Sequence, residues 1–177
     1  PGLPRNYQQV YKSYIVENPT RNNIIVKNAK KLIDKGYQVL ILYSVIKHGE
    51  IISELLKDEG IDHALLKGKD SQDVREGVKQ SLMNGDIKCV VASKIFDVGV
   101  SIESLSALIL ASGGKSYVKT LQRVGRILRK WKNKKIVAVV DFYDNVTYLS
   151  NHSKVRYKIY KSEPGFVVHS SNIKDLK

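Results

Sequence analysis

The chain has 177 residues, of which 42% are apolar, and this is enough for one domain with a buried core. Its net charge of +13 favours a polyanionic partner, most often nucleic acid, with simple solubility or attraction to a membrane surface as alternatives. The single cysteine excludes disulfides and cysteine-based zinc sites. The polar N-terminus predicts no signal peptide, and the sequence contains no run of about 18 apolar residues that would span a membrane.

The N-terminal segment, residues 6–16, places Tyr7, Tyr11 and Tyr14 at spacings of four and three, which predicts one helix with an aromatic stripe. We expect the stripe to pack against the domain, with stacking on DNA as the alternative. Three amphipathic helices follow, and each ends at a glycine suited to the left-handed position that closes a helix. They are residues 21–35, 47–59 and 71–84, followed by Gly36, Gly60 and Gly85.

Short apolar runs alternate with these helices and continue after them. Because the runs are mostly continuous rather than alternating, they predict strands buried on both faces. Strands that alternate with helices predict an α/β fold, a parallel β-sheet flanked by helices on both faces. The predicted strands are residues 38–44, 61–66, 87–93, 107–111 and 136–141.

The C-terminal segment differs from the alternating core. Residues 145–160 predict a basic, tyrosine-bearing helix. A turn at residues 164–165 then leads into residues 166–169, which predict an edge strand. None of the four histidines has metal-ligand spacing, so we interpret them as structural or surface residues.

Residues suited to binding phosphate follow the predicted strands. In parallel α/β sheets, ligands gather at the carboxyl ends of the strands. Ser44 follows the first strand, Gly68 and Arg75 follow the second, and Ser93 with Lys94 follows the third. These positions predict a binding edge.

A basic octamer, residues 122–129, has the sequence QRVGRILR. Arg126 and Arg129 are one helical turn apart and would present two planar, permanently charged groups from one side of a helix. Such a pair suits the γ-phosphate of a nucleotide, with a solvated basic turn as the alternative.

Residues 20–142 resemble the second RecA-like domain of superfamily 2 helicases, because four motifs occur in the family's order. Residues 40–44 resemble motif IV. Residues 66–68, together with Arg75 seven residues after Gly68, resemble the element that follows motif IV in the family. Residues 92–102 resemble motif V, and residues 122–129 resemble motif VI. The GVSI form of motif V and the basic tail are most similar to UvsW-type recombination and repair helicases of phages, with the XPB-like branch next.

This resemblance implies roles at the nucleotide. Arg129 would be the arginine finger on the γ-phosphate of ATP, Arg126 its companion, and Gln122 would organise the contact between two motor domains. Gly99 and Ser101 would lie at the nucleotide, although Ser101 stands where many relatives carry an aspartate that can hold the ribose.

The resemblance also implies nucleic-acid contacts that do not depend on sequence, because hydroxyls, main-chain N–H groups and cations bind phosphate rather than bases. Gly99 would contribute through its main chain as well. The implied residues are Ser44, Gly68, Arg75, Ser93, Lys94 and Lys115.

The loop at residues 112–116, SGGKS, imitates the end of a Walker A motif. A true P-loop needs a glycine five places before its second glycine, and Ile109, inside a strand, occupies that position. We therefore interpret the loop as a flexible basic turn that faces DNA or a partner domain. A small α/β enzyme that binds a phosphorylated metabolite through this loop is the least favoured alternative.

Three segments are expected: a linker helix from a preceding motor domain at residues 1–20, the RecA-like domain at 21–143, and a basic extension at 144–177. The preceding RecA-like domain of the same polypeptide would hold most of ATP and Mg²⁺, so this chain alone would hydrolyse nothing. The function implied is the C-terminal half of an ATP-dependent helicase acting on branched or single-stranded DNA in the cytoplasm of a bacterium or phage-infected host. A stand-alone nucleic-acid-binding module is the alternative.

Overall fold

Parallel strands form the centre of the molecule. The computed structural model describes residues 6–93, 105–114, 138–164 and 166–170. The strands in these ranges are β1 Val39–Leu42, β2 His63–Leu66, β3 Cys89–Ala92, β4 Ala107–Leu110 and β5 Ala138–Val140. They form one parallel sheet in the order β2-β3-β1-β4-β5. The prediction of a parallel sheet is therefore confirmed.

Helices cover both faces of this sheet, as predicted. On one face, α2 and α3 pack against Val39, Ile41 and their neighbours. On the other, α4 and α5 pack against Leu40, Leu42 and their neighbours. The helices of the described ranges are α1 Tyr7–Tyr11, a π-helical segment Lys12–Val16, α2 Pro19–Asp34, α3 Ile46–Asp58, α4 Gln72–Asn84 and α5 Leu149–Ser162.

The helix boundaries follow from capping residues. Asn18 accepts a hydrogen bond from the Arg21 N–H, and Pro19 occupies the first helical position, so α2 begins two residues before its predicted start. Gly36, Gly60 and Gly85 all adopt positive φ, between 69° and 85°, which confirms the predicted helix ends. The N–H groups of Tyr37 and Ile61 donate the hydrogen bonds that close α2 and α3. Because these residues belong to the helix ends, β1 and β2 begin later than predicted.

The N-terminal helical segment packs against the start of α5. Val10 and Ile15 form a small buried cluster with Leu149, and the Tyr7 ring contacts the rings of Tyr148 and His152. Packing of the tyrosine stripe is thus confirmed.

The predicted edge strand at residues 166–169 is wrong, because residues 166–170 contain neither helix nor strand. There the Phe166 N–H closes a turn onto the Glu163 carbonyl, and the Phe166 ring packs on Tyr160.

Two glycines of α4 should respond to alanine in opposite directions. Gly85 has φ +81°, so Gly85→Ala should lower the free energy of unfolding by about 1 kcal/mol through backbone strain. Gly77 lies inside the helix with open space where a Cβ would be, so Gly77→Ala should raise that free energy by up to about 1 kcal/mol. Urea unfolding of the chain measures both changes. A loss of stability in Gly77→Ala would contradict this account of α4.

Candidate nucleic-acid interface

The carboxyl ends of four strands lie at one level. Leu42 of β1 is in register with Ala92 of β3 and Leu110 of β4, and Ala92 is in register with Leu66 of β2. The loops that leave these strands therefore start side by side, about 4.8 Å apart. We call this row of loops the carboxyl edge.

Tyr43 joins three of the loops. Its side chain is fully buried, and its hydroxyl donates a hydrogen bond of 2.8 Å to the Leu66 carbonyl and interacts with the Ser93 hydroxyl. Burial raises the pKa of Tyr43, so the phenol stays protonated and able to donate. The ring also fills the space beside Gly49, where a Cβ would lie 2.6 Å from a ring carbon. Tyr43 thus fixes the ends of β1, β2 and β3 relative to one another.

Ser44 follows Tyr43 and is exposed, and a hydrogen bond fixes its backbone. Its N–H donates a hydrogen bond of 2.8 Å to the hydroxyl of Ser112, which is fully buried. Tyr11 lies beside both serine hydroxyls, and burial raises its pKa. Ser44 therefore lies exposed at the carboxyl edge, with its N–H bound by Ser112 and its hydroxyl next to Tyr11.

The loop after β2 brings Gly68 close to Ser93. A Cβ on Gly68 would lie 3.8 Å from the Ser93 Oγ, an ordinary contact distance, so the two loops lie next to each other. The guanidinium of Arg75 donates to the carbonyls of Gly68 at 3.0 Å and Asp70 at 3.1 Å. Arg75 therefore shapes this loop, and the bonds of its guanidinium in this structure are to backbone rather than directed outward.

Two buried arginines hold the loops that follow β4 and β5. Arg21 forms an ion pair of 2.9 Å with Asp144 and donates to the Ala111 carbonyl. Arg156 forms an ion pair of 2.7 Å with Asp141, which also accepts from the Tyr160 hydroxyl. Asp141 is thereby committed to Arg156 and Tyr160.

The loop after β4 is tightly packed. A Cβ on Gly113 would lie 2.5 Å from the Asp144 Oδ2, and one on Gly114 would lie 3.2 Å from the Tyr7 hydroxyl. Arg156 donates to the Gly114 carbonyl at 3.4 Å. The interpretation of residues 112–116 as a flexible turn is therefore wrong for its first three residues, which are buried. Two glycines at these positions allow the close approach.

His48 is structural. Its imidazole is fully buried, and its Nε2 lies 2.9 Å from the Asn22 Oδ1. Burial lowers the pKa of His48 to about 3, and the nearby Arg21 adds to the effect. A neutral imidazole in this position supports packing and carries no charge for phosphate.

The predicted site residues divide into two groups. Ser44, Gly68 and Ser93 lie on the carboxyl edge, and Arg75 lies in α4 and donates to the loop after β2. The remaining residues lie outside the described ranges: Lys94, Gly99, Ser101, Lys115, Gln122, Arg126 and Arg129. Sequence reasoning missed Tyr43, Ser112, Arg21 and Arg156, which position the edge.

Within the described ranges, no three histidine, cysteine or acidic side chains lie close enough to hold a metal ion. No helix of the same ranges is both long and apolar enough to cross a bilayer.

Residues 22–131 match the model of the family described as the helicase conserved C-terminal domain. The ATP-dependent DNA helicase uvsW of Enterobacteria phage T4 is 33% identical over 156 residues, which cover 86% of this chain and 31% of that protein. The putative helicase 22 of a Sulfolobus islandicus filamentous virus is 26% identical over 145 residues, 80% of this chain and 26% of its own length. The chain thus spans about a third or less of these relatives.

Solved structures show the same fold. The crystal structure of T4 UvsW superposes with a TM-score of 0.72 at 29% identity, over 90% of this chain and 35% of that chain. The E. coli DEAD-box protein SrmB has a TM-score of 0.62 at 17% identity, covering 89% of this chain and 86% of that chain, a likeness of fold alone. The predicted RecA-like fold is confirmed by these likenesses.

Proposed function

Since this chain belongs to the family of helicase conserved C-terminal domains, within superfamily 2, we propose that it is the C-terminal motor domain of an ATP-dependent DNA helicase or translocase acting on branched DNA. The observation that carries the proposal is the carboxyl edge, where Ser44, Gly68 and Ser93 meet in adjacent loops. The resemblance of this chain to UvsW-type recombination and repair helicases supports the choice of branched DNA as the substrate, in recombination, repair or replication.

The carboxyl edge would bind the sugar-phosphate backbone. Its hydroxyls and glycine-exposed backbone offer neutral donors to phosphate oxygens, and the lysines at 94 and 115 would add charge. None of these groups recognises a base edge, so affinity should fall steeply with salt and depend little on sequence.

Residues 122–129 would act on ATP bound mainly by a preceding RecA-like domain of the same polypeptide, which would also supply the Mg²⁺ ligands. ATP provides the phosphoryl transfer that drives the motor. Arg126 and Arg129 would neutralise charge on the terminal phosphate, Gln122 would join the two domains, and Gly99 and Ser101 would border the nucleotide. Closing and opening of the two domains would alternate two grips on DNA and move the protein along one strand.

The proposal is tested by ATP hydrolysis of the full-length polypeptide that contains this chain. Forked, four-way, linear duplex and single-stranded DNA of equal length would be compared with no DNA. We expect DNA to stimulate turnover, and the branched molecules to stimulate it most.

Absence of stimulation by any DNA would favour a stand-alone nucleic-acid-binding module. Equal stimulation by linear and branched DNA would reject the branched substrate while leaving the motor. A matched RNA that stimulates more strongly would reject DNA as the track.

A further inference from the structure

Helix α5 carries a basic stripe outside the carboxyl edge. Lys154, Lys158 and Lys161 follow one another at spacings of four and three, so they lie on one side of the helix, and all three are exposed. Tyr157, 40% exposed, lies on the same side, with the Lys161 Nζ 5.7 Å from its ring centre. We call these four residues the α5 stripe.

The lack of acidic residues on the same helix distinguishes this stripe from the lysines of α2, α3 and α4. Elsewhere in the described ranges several exposed lysines are paired, as in Lys30 with Glu59 and Lys67 with Glu50. Helix α5 contains no acidic residue, and none of its three stripe lysines forms an ion pair within the described ranges. The one arginine of the helix, Arg156, is buried against Asp141 on the opposite side. Three positive charges are thus left facing solvent.

The position of α5 links the stripe to the carboxyl edge. The helix follows the loop that leaves the carboxyl end of β5, and Arg156 donates to the Phe142 carbonyl in that loop. Further along, Ile159 and Tyr160 pack on the sheet face that contains Leu40 and Leu42. The helix therefore starts at the edge and runs back along the sheet.

We propose that the α5 stripe is a second binding surface for the nucleic-acid backbone, which extends the grip from the carboxyl edge along α5. Lys154 and Lys161 are separated by about 10 Å along the helix. Successive phosphates of one strand are about 3.4 Å apart along a duplex axis, so the stripe matches roughly three phosphates. The inference rests on the proposed function, because it extends the same nucleic-acid track.

The test uses the full-length polypeptide with all three lysines changed: Lys154→Gln, Lys158→Gln and Lys161→Gln. Glutamine forms helices about as well as lysine, so the helix should be retained. DNA affinity measured against salt should show a slope of log affinity on log salt that is smaller by about 2 to 3. ATP turnover at saturating DNA should stay within about twofold, because the substitutions weaken DNA binding and leave the sequence of residues 122–129, which is proposed to act on ATP, unchanged. Replacing the same lysines with arginine should preserve the wild-type slope.

A matched control removes the same charge from the opposite face of the sheet. Lys27→Gln, Lys31→Gln and Lys57→Gln change exposed lysines of α2 and α3 and should leave the slope nearly unaltered. A wild-type slope in the α5 variant, or equal losses in both variants, would overturn the inference. If wild-type turnover is DNA-stimulated in that case, the proposed function survives. If DNA does not stimulate ATP turnover but the salt slope of DNA affinity falls in the α5 variant alone, the α5 binding surface is supported and the proposed motor function is rejected.

Discussion

Arg129→Ala is expected to lower DNA-stimulated ATP turnover of the full-length polypeptide by about 10³-fold or more, with nucleotide binding largely retained. The reason is that an arginine finger stabilises charge that develops as the terminal phosphoryl group leaves, and such residues contribute about 10³ to 10⁵ to the rate. Steady-state hydrolysis gives turnover, and titration with a fluorescent nucleotide gives binding.

Two companion variants sharpen this test. Arg129→Lys keeps the charge but loses the planar, two-pronged donor, so it should recover only a small part of the rate. Arg123→Ala removes an arginine from the same octamer without touching either proposed finger, so turnover should stay close to wild type. Unchanged turnover in Arg129→Ala would remove this arginine from the chemistry. A nucleic-acid-binding module would then be the better hypothesis.

Arg156→Ala should lower the free energy of unfolding of the chain by about 3 to 5 kcal/mol. The Arg156 side chain is 1% exposed and Asp141 is 13% exposed, so the variant leaves a largely buried carboxylate without its partner. It also removes the donor to the Phe142 carbonyl. Urea unfolding, followed by circular dichroism, measures the change.

The expected loss in Arg156→Ala has two controls. Lys158→Ala lies on the exposed side of the same helix and should change stability by no more than about 0.5 kcal/mol. The double variant Arg156→Ala with Asp141→Asn removes the stranded charge as well, so it should be less destabilised than the sum of the single changes. Additive losses would show that the pair contributes no coupling, against the structure.

The sequence was sufficient for the alternating core because its signals there are local. Amphipathic spacing and three glycines predicted α2, α3 and α4, and continuous apolar runs predicted the strands to within about two residues at each described end. The first residues of the strands were less predictable. Ile61, for example, has a strand-like side chain, but its N–H closes α3 before β2 begins. The motif serines and Gly68 were found for a similar reason, because each lies within two residues of the end of a recognisable strand.

Contacts between distant residues could not be predicted. Arg21 and Asp144 are 123 positions apart, and an arginine in an amphipathic helix ordinarily faces solvent. Arg156 lay among lysines that are indeed exposed, and only its pairing with Asp141 distinguishes it. The segment at residues 166–169 has strand-like residues, yet Phe166 packs on Tyr160, so tertiary contact overrides local preference.

The alignment of strand ends also limits how strongly the carboxyl edge can hold its ligand. Four loops in register cover about 15 Å, which matches only about four phosphates of one strand. So short a contact, made mostly by neutral donors, should dissociate quickly. In the proposed motor, fast release would let the domain leave its track in every cycle, and processive movement would depend on contacts beyond the edge.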